Sequence, residues 1–216
     1  MKFLFSTIGQ KIQIAISGLF LSIFLVFHLF NNLVLFTGED NFNSMVIFLK
    51  SIHTIIRIME FGLLAIILLH VINAIVTSYK NKNANNGKYA VKSDTAPINS
   101  KTMIWSGLFI LFFFIIHLRF YWFTFQTLDE TANFFDYMLL DKFGFLGHTP
   151  TAIIYIISIL LIATHLRHGF LSLFKTLGVP IKYRDGILKY VAILFWGVVP
   201  LGFILVILAI QFRIIQ

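Results

Sequence analysis

Four histidines stand inside long apolar stretches, one per stretch: His28, His70, His117 and His165. An ionisable side chain at membrane depth is costly, and by default it marks a site of function. Any one of them alone reads equally well as a hydrogen-bonded interior histidine; four in four separate segments are harder to explain that way. A neutral imidazole can give one ring nitrogen to a metal while the other nitrogen is held by a hydrogen bond. Two imidazoles facing each other at one level supply the axial ligands of a six-coordinate haem iron, which has no open position and so carries electrons rather than binding O2. Zinc or copper sites instead gather three or more ligands at one point, and two per level falls short. Cysteine is absent, which excludes disulfides, thiolate metal sites and cysteine-ligated iron–sulfur clusters within the chain.

The segments that must carry these histidines are spans of a membrane. Of 216 residues, 58% are hydrophobic and 12% charged, a composition that soluble domains rarely show. Five stretches, about 12–36, 52–79, 102–125, 150–174 and 188–212, are long enough to cross roughly 30 Å of hydrocarbon as helices. The fold class expected is all-α: one domain over 1–216, an integral membrane bundle of five transmembrane helices. The apolar run at the N-terminus outlasts a signal h-region and shows no small-residue cleavage pattern, so it is expected to be retained. The sequence reads as free of internal repeats, with one low-complexity connector, KNKNANNGKYAVKSDTAPINSK, between spans two and three.

The 26 phenylalanines are enough to line helix interfaces or to pack on a flat aromatic cofactor. The net charge of +8 lies mostly in short connectors, which argues for membrane topology and against nucleic acid as a partner. Lys80, Lys82, Lys88, Lys92 and Lys101 flank the second connector, and Lys175, Lys182, Arg184 and Lys189 the fourth, whereas Glu39, Asp40, Asp129, Glu130, Asp136 and Asp141 fall in the first and third. The positive-inside bias therefore predicts a cytoplasmic N-terminus and an external C-terminus.

With that orientation the helical rise sorts the histidines by depth. His28 lies about 24 Å and His117 about 21 Å along spans that run outward, while His70 and His165 lie about 27 Å and 22 Å along spans that run inward. The expected pairs are His28 with His117 toward the outside and His70 with His165 toward the cytoplasm. Ser17 shares the face of His28 with Gly18 beside it, Ser106 and Tyr121 share that of His117, and Ser158 that of His165. Such residues suit the edges of a flat ring and hydrogen bonds to a ligating imidazole, although small residues also promote helix packing in any membrane bundle. Arg167, His168 and Lys175 trail His165 toward the cytoplasmic interface, where snorkelling is cheap, and could meet haem propionates or a partner subunit. His53, Arg57 and Glu60 open span two and form a candidate pocket for quinone protons, with an interfacial ion pair as the plainer reading. His148 falls in a loop and carries no assignment.

These residues give the chain a specific resemblance. SGLFLSIFLVFHL in span one, HVINAIVTSYK at the end of span two, FIIHLRFYWF in span three and above all HLRHGFLSLFKTLG in span four resemble the diheme cytochrome b membrane subunit of succinate:quinone oxidoreductases, in its five-helix single-anchor form, over nearly the whole chain. The resemblance implies two haem b groups with His28, His70, His117 and His165 as axial ligands, a cytoplasmic flavoprotein subunit that handles succinate, an iron–sulfur subunit, and menaquinone as the quinone. It implies residence in the cell's inner (cytoplasmic) membrane and leaves room for oligomers of the whole complex. One departure stands out. Some members are thought to move protons with a carboxylate in the fourth span, but here Glu60 is the only carboxylate in any span. Two other readings remain open: a cytochrome b anchor of a hydrogenase or formate dehydrogenase, and a haem-free transporter, for which broken helices or inverted repeats are expected.

Overall fold

In hydrocarbon every backbone N–H and C=O must find a partner within its own segment, so the apolar stretches have little choice but the helix. The computed structural model describes residues 3–84 and 98–215. Among them the helices are, in chain order, α1 (Thr7–Leu33), α2 (Glu39–Ser51), α3 (His53–Ala84), α4 (Ile98–His117), α5 (Phe123–Thr127), α6 (Phe134–Leu139), α7 (Thr149–Thr176), α8 (Ile181–Arg184), α9 (Ile187–Ile193) and α10 (Val199–Gln211), and no strand occurs. Five of the long apolar runs reach membrane length: Thr7–Thr37, His53–Asn81, Met103–Thr127, Thr149–Thr176 and Ile187–Gln211. The chain is an all-α, multi-pass membrane bundle. Residues 85–97, the heart of the connector expected to be basic and low in complexity, lie outside the described residues.

The spans begin and end where local chemistry directs. Span one starts several residues before the expected boundary because Ser6 caps it, its Oγ accepting from the Gly9 N–H at 3.1 Å. Span four carries a proline in its first turn, where the missing N–H has no cost. It stops at Gly178, whose φ of +69° allows the Val179 N–H to reach back to the Phe174 carbonyl at 2.9 Å. Two spans contain a π-helical turn, Leu118–Trp122 directly after His117 and Leu194–Val198 in the fifth span. The second has an evident cause: Pro200 cannot donate to the carbonyl of Trp196.

α1 packs along α3 and α4 along α7; α1 and α7 also touch, and α10 lies against both. α1 and α3 are joined by polar rungs: Lys80 Nζ donates to Gln10 Oε1 (2.9 Å), Asn73 Nδ2 to Gln13 Oε1 (3.1 Å), and Ser17 Oγ meets His70 Nδ1 (3.0 Å). Between apolar helices in lipid such bonds act as glue, each worth about 0.6 kcal/mol on average, and together they fix the register of one helix on the other. α3 and α4, by contrast, meet sparsely and bury nothing of their most apolar windows.

The regions expected to be the first and third loops fold instead into a packed cap over one end of the bundle. α2 and α6 lock together through Asn43, which donates to Asn133 Oδ1 and accepts from the Phe135 N–H, both at 2.9 Å. Phe134 and Phe135 are 0% and 2% exposed, the centre of an apolar core that also takes in Leu35, Phe42, Met138 and Tyr121. This end is called the capped end below.

Candidate functional site

The four histidines meet in the interior as two pairs at two levels. The rings of His28 and His117 have centroids 5.7 Å apart at 83°, and those of His70 and His165 are 6.5 Å apart at 62°. α1 faces α4 across the first pair, nearer the capped end, and α3 faces α7 across the second. A metal–imidazole bond is about 2.0 Å long, so two rings on opposite sides of one iron have centroids roughly 6 Å apart. The two observed separations bracket that value. All four rings are half-buried. Among the described residues no group of three or more histidine, aspartate or glutamate side chains converges, so the donor set suits two-point axial ligation and not a zinc-type cage.

Hydrogen bonds orient the His70–His165 pair, the lower one when the capped end is taken as the top. His70 Nδ1 lies 3.2 Å from the Ile14 carbonyl, and a carbonyl can only accept, so Nδ1 carries the proton. Ser17 Oγ donates backward to the Gln13 carbonyl (2.6 Å) and offers its lone pair to the same Nδ1 at 3.0 Å. Ser106 does the same on the other side, donating to the Met103 carbonyl (2.9 Å) with His165 Nδ1 at 3.2 Å. In His70 Nε2 is thereby left with its lone pair, the state an iron ligand needs, and the Ser106 contact allows His165 the same tautomer. The upper pair is held by ring packing. Phe24 stacks on His28 (5.5 Å, 12°), while Phe113 and Tyr121 lie along His117 at 5.9 and 5.6 Å. The Tyr155 hydroxyl is 3.5 Å from His117 Nδ1.

Several expected placements change. Ser17 and Gly18 do share the inward face of His28, but eleven residues of helix separate them by about 16 Å, so they serve His70 on the neighbouring helix. Ser106 likewise serves His165 rather than His117. Tyr121 does sit at His117, and it also accepts from the Leu146 N–H at 2.8 Å. Ser158 bonds the Ile154 carbonyl of its own helix (2.8 Å) and reaches no histidine. Arg167 is exposed and lies over the ring of Trp196 in the fifth span at 5.5 Å, a position two residues round from the inward-facing His165. His168 is half-buried and Lys175 exposed.

Arg57 and Glu60 do pair, at 2.6 Å, but His53 is exposed and bonds only its neighbour Thr54. Trp122 and Gln126 complete the cluster instead. Trp122 Nε1 donates to Glu60 Oε1 at 2.9 Å, and Arg57 Nη2 donates to Gln126 Oε1. Both come from the third span beyond α4, with Gln126 on α5 and Trp122 at the end of the first π turn, a feature frequent at functional sites. His148, assigned nothing from sequence, is the N-cap residue of α7 and contacts Thr151 Oγ1 at 3.0 Å.

The equivalent roles of Ser17 and Ser106 expose a repeat that the sequence reading overlooked. Ser-Gly-Leu-Phe-x7-His-Leu occurs at Ser17–Leu29 and again at Ser106–Leu118, and His-Thr-x15-His-x9-Lys occurs at His53–Lys80 and again at His148–Lys175. The α1–α3 hairpin and the α4–α7 hairpin are therefore two copies of one unit running in the same sense, and each pair of histidines takes one ring from each copy. Gly107, also missed, is the counterpart of Gly18. A β-carbon at Gly18 would lie 3.2 Å from His70 Cε1, and one at Gly107 3.6 Å from His165 Cε1. The repeat was the signal that would have revealed it. No protein-family model, curated protein or solved structure matches the chain.

Proposed function

We propose that the chain is the diheme cytochrome b anchor of a succinate:menaquinone oxidoreductase, seated in the cytoplasmic membrane with its uncapped end toward a cytoplasmic iron–sulfur subunit and its flavoprotein. The observation that carries this reading is the pair of facing imidazole sets, 5.7 and 6.5 Å between centroids, at two levels of one bundle. His70 and His165 would hold one haem b and His28 and His117 the other, each supplying reversible one-electron storage when bound. The Ile14 carbonyl keeps Nδ1 protonated in His70 and Ser106 allows the same tautomer in His165, so that Nε2 stays a ligand; with Ser17 they keep the lower rings from turning over.

A reduced-minus-oxidised spectrum of the purified chain tests the reading most directly; without an α-band it fails. Co-purification of a flavoprotein separates this complex from hydrogenase-type or formate-dehydrogenase-type anchors. Gly18→Val is expected to push the His70 ring aside and weaken the spectral component of that pair alone, with Gly107→Val milder because its β-carbon has 0.4 Å more room (3.6 − 3.2). Equal damage to both components would argue against the assignment.

The quinone, in this reading, binds beside the Arg57–Glu60–Trp122 cluster between the second and third spans. Glu60, held by Arg57 and Trp122, is the group there able to pass a proton to a quinone as it takes up electrons. Glu60→Gln keeps the side chain's shape and one acceptor oxygen for Arg57 or Trp122, but it loses the charge and cannot exchange the proton. It should slow quinone turnover by about 10²-fold or more while the haem spectrum stays unchanged. Turnover within twofold of the parent would move the quinone elsewhere.

A further inference from the structure

Arg167 presents a problem that the haem reading does not use. It lies nine residues inside the end of α7, about 13 Å along the helix axis, and it is exposed on the lipid side of the bundle. Among the described residues the one ion pair is Arg57–Glu60, and no carboxylate faces Arg167. Its partner is the ring of Trp196, 5.5 Å away. A guanidinium at that depth is stabilised by an aromatic face only in part, and it gains most from an oxyanion that can take two parallel N–H bonds.

Beside it runs an apolar groove of about 370 Å³ between α7 and the fifth span, lined by Leu160, Ala163, Trp196, Gly197, Leu201 and Ile204 among others. Leu160, Ala163 and Arg167 follow one another at three- and four-residue spacing, so the guanidinium stands at one end of the groove, on the same face. Trp196 belongs to both, forming the groove wall and lying under the cation. The groove opens where the π turn Leu194–Val198 and Pro200 interrupt the regular surface of the fifth span. The fourth connector, at the same end of the bundle, carries Lys175, Lys182, Arg184 and Lys189 against Asp185.

We infer that this is a binding site for one anionic phospholipid, its phosphate on the Arg167 guanidinium and one acyl chain in the groove toward Leu201 and Ile204. Charge complementarity selects the phosphate end, and the apolar lining selects the chain. The site does not depend on the haem assignment, since it needs only that the bundle lie in a membrane.

The test is native mass spectrometry of the full-length chain released from detergent, titrated with dioleoyl phosphatidylglycerol or dioleoyl phosphatidylcholine. The anionic lipid is expected to bind about fivefold tighter or more, the gain typical of one basic residue against an anionic headgroup. Arg167→Gln should abolish that preference, and Ala163→Leu, which fills the groove, should weaken both lipids. Lys182→Gln, at the same end but away from the groove, should leave the preference intact. Equal binding of the two lipids by the parent chain overturns the proposal. So does a preference that survives Arg167→Gln, or one lost equally in Lys182→Gln, because the attraction would then belong to the basic end as a whole. Displacement of the bound lipid by a short-chain menaquinone at matched concentration would also overturn it, giving the groove to the quinone. Should Arg167→Gln fail to fold, Ala163→Leu alone decides: unchanged lipid binding in that variant excludes the groove.

Discussion

Under the proposed diheme reading, replacing His117 with alanine is expected to remove about half of the reduced α-band and leave the remainder unshifted, because an iron held by two imidazoles would lose its low-spin state when either is removed. His28→Ala should remove the same half, since the two rings face each other at 5.7 Å. His70→Ala and His165→Ala should remove the other half, from the pair at 6.5 Å. Double substitutions make the pairing visible, as coupled residues are non-additive. The His28/His117 double variant should lose no more than either single one, whereas a His117/His165 double variant should lose both components. If His28→Ala and His117→Ala remove different components, the two-level arrangement is wrong. The levels are separated along α1 and α4 by the same device: eleven residues of rise between Ser17 and His28 and between Ser106 and His117. A local collapse at one pair therefore has a rigid length of helix between it and the other.

Phe134→Ala is expected to cost about 3–5 kcal/mol, the usual loss for a fully buried aromatic side chain. For a chain of this size that lowers the melting temperature by roughly 10 °C. Phe134 is 0% exposed; its ring meets Phe125 edge-on at 5.5 Å, and Lys50 Nζ lies 4.9 Å above it. The comparison that gives the measurement meaning is Phe27→Ala, whose side chain is 65% exposed on the span surface and should change the melting temperature little. The contrast has a physical origin. Helices in lipid gain nothing from hiding apolar surface from tails that are equally apolar, whereas the cap lies beyond the hydrocarbon and its core is assembled by expulsion of water. A thermal melt of the two variants in the same detergent decides it. If Phe134→Ala melts within a degree or two of the parent, the cap is a loose covering rather than a core.

The cap also shows where the linear reading fell short. Glu39, Asp40 and the aspartates of the third connector mark that end as polar, and that suffices to end the spans. That Asn43 would reach Asn133 across ninety residues, seating Phe134 and Phe135 between them, has no local signature. The same holds for the Arg57–Glu60 cluster. The ion pair follows from three-residue spacing on one helix, but Trp122 arrives through a π turn that no periodicity announces, and His53 drops out because α3 begins with it at the surface. The repeat is a different kind of miss. Ser-Gly-Leu-Phe-x7-His-Leu was present to be read, and reading it would have added Gly107 beside Gly18.

The amino-acid sequence alone determined the number of spans and the two levels of histidine. Hydrocarbon leaves the backbone only the helix, and the helix converts residue spacing into depth at a constant rise. Depth along a helix, however, says nothing of which neighbour lies at that depth. Only the tertiary structure decided that Ser17 serves His70 and Ser106 serves His165, that Arg167 turns to Trp196, and that the connectors at one end close into a core. Each depends on the rotation and partner of a helix, and those are set by packing between segments far apart in the chain.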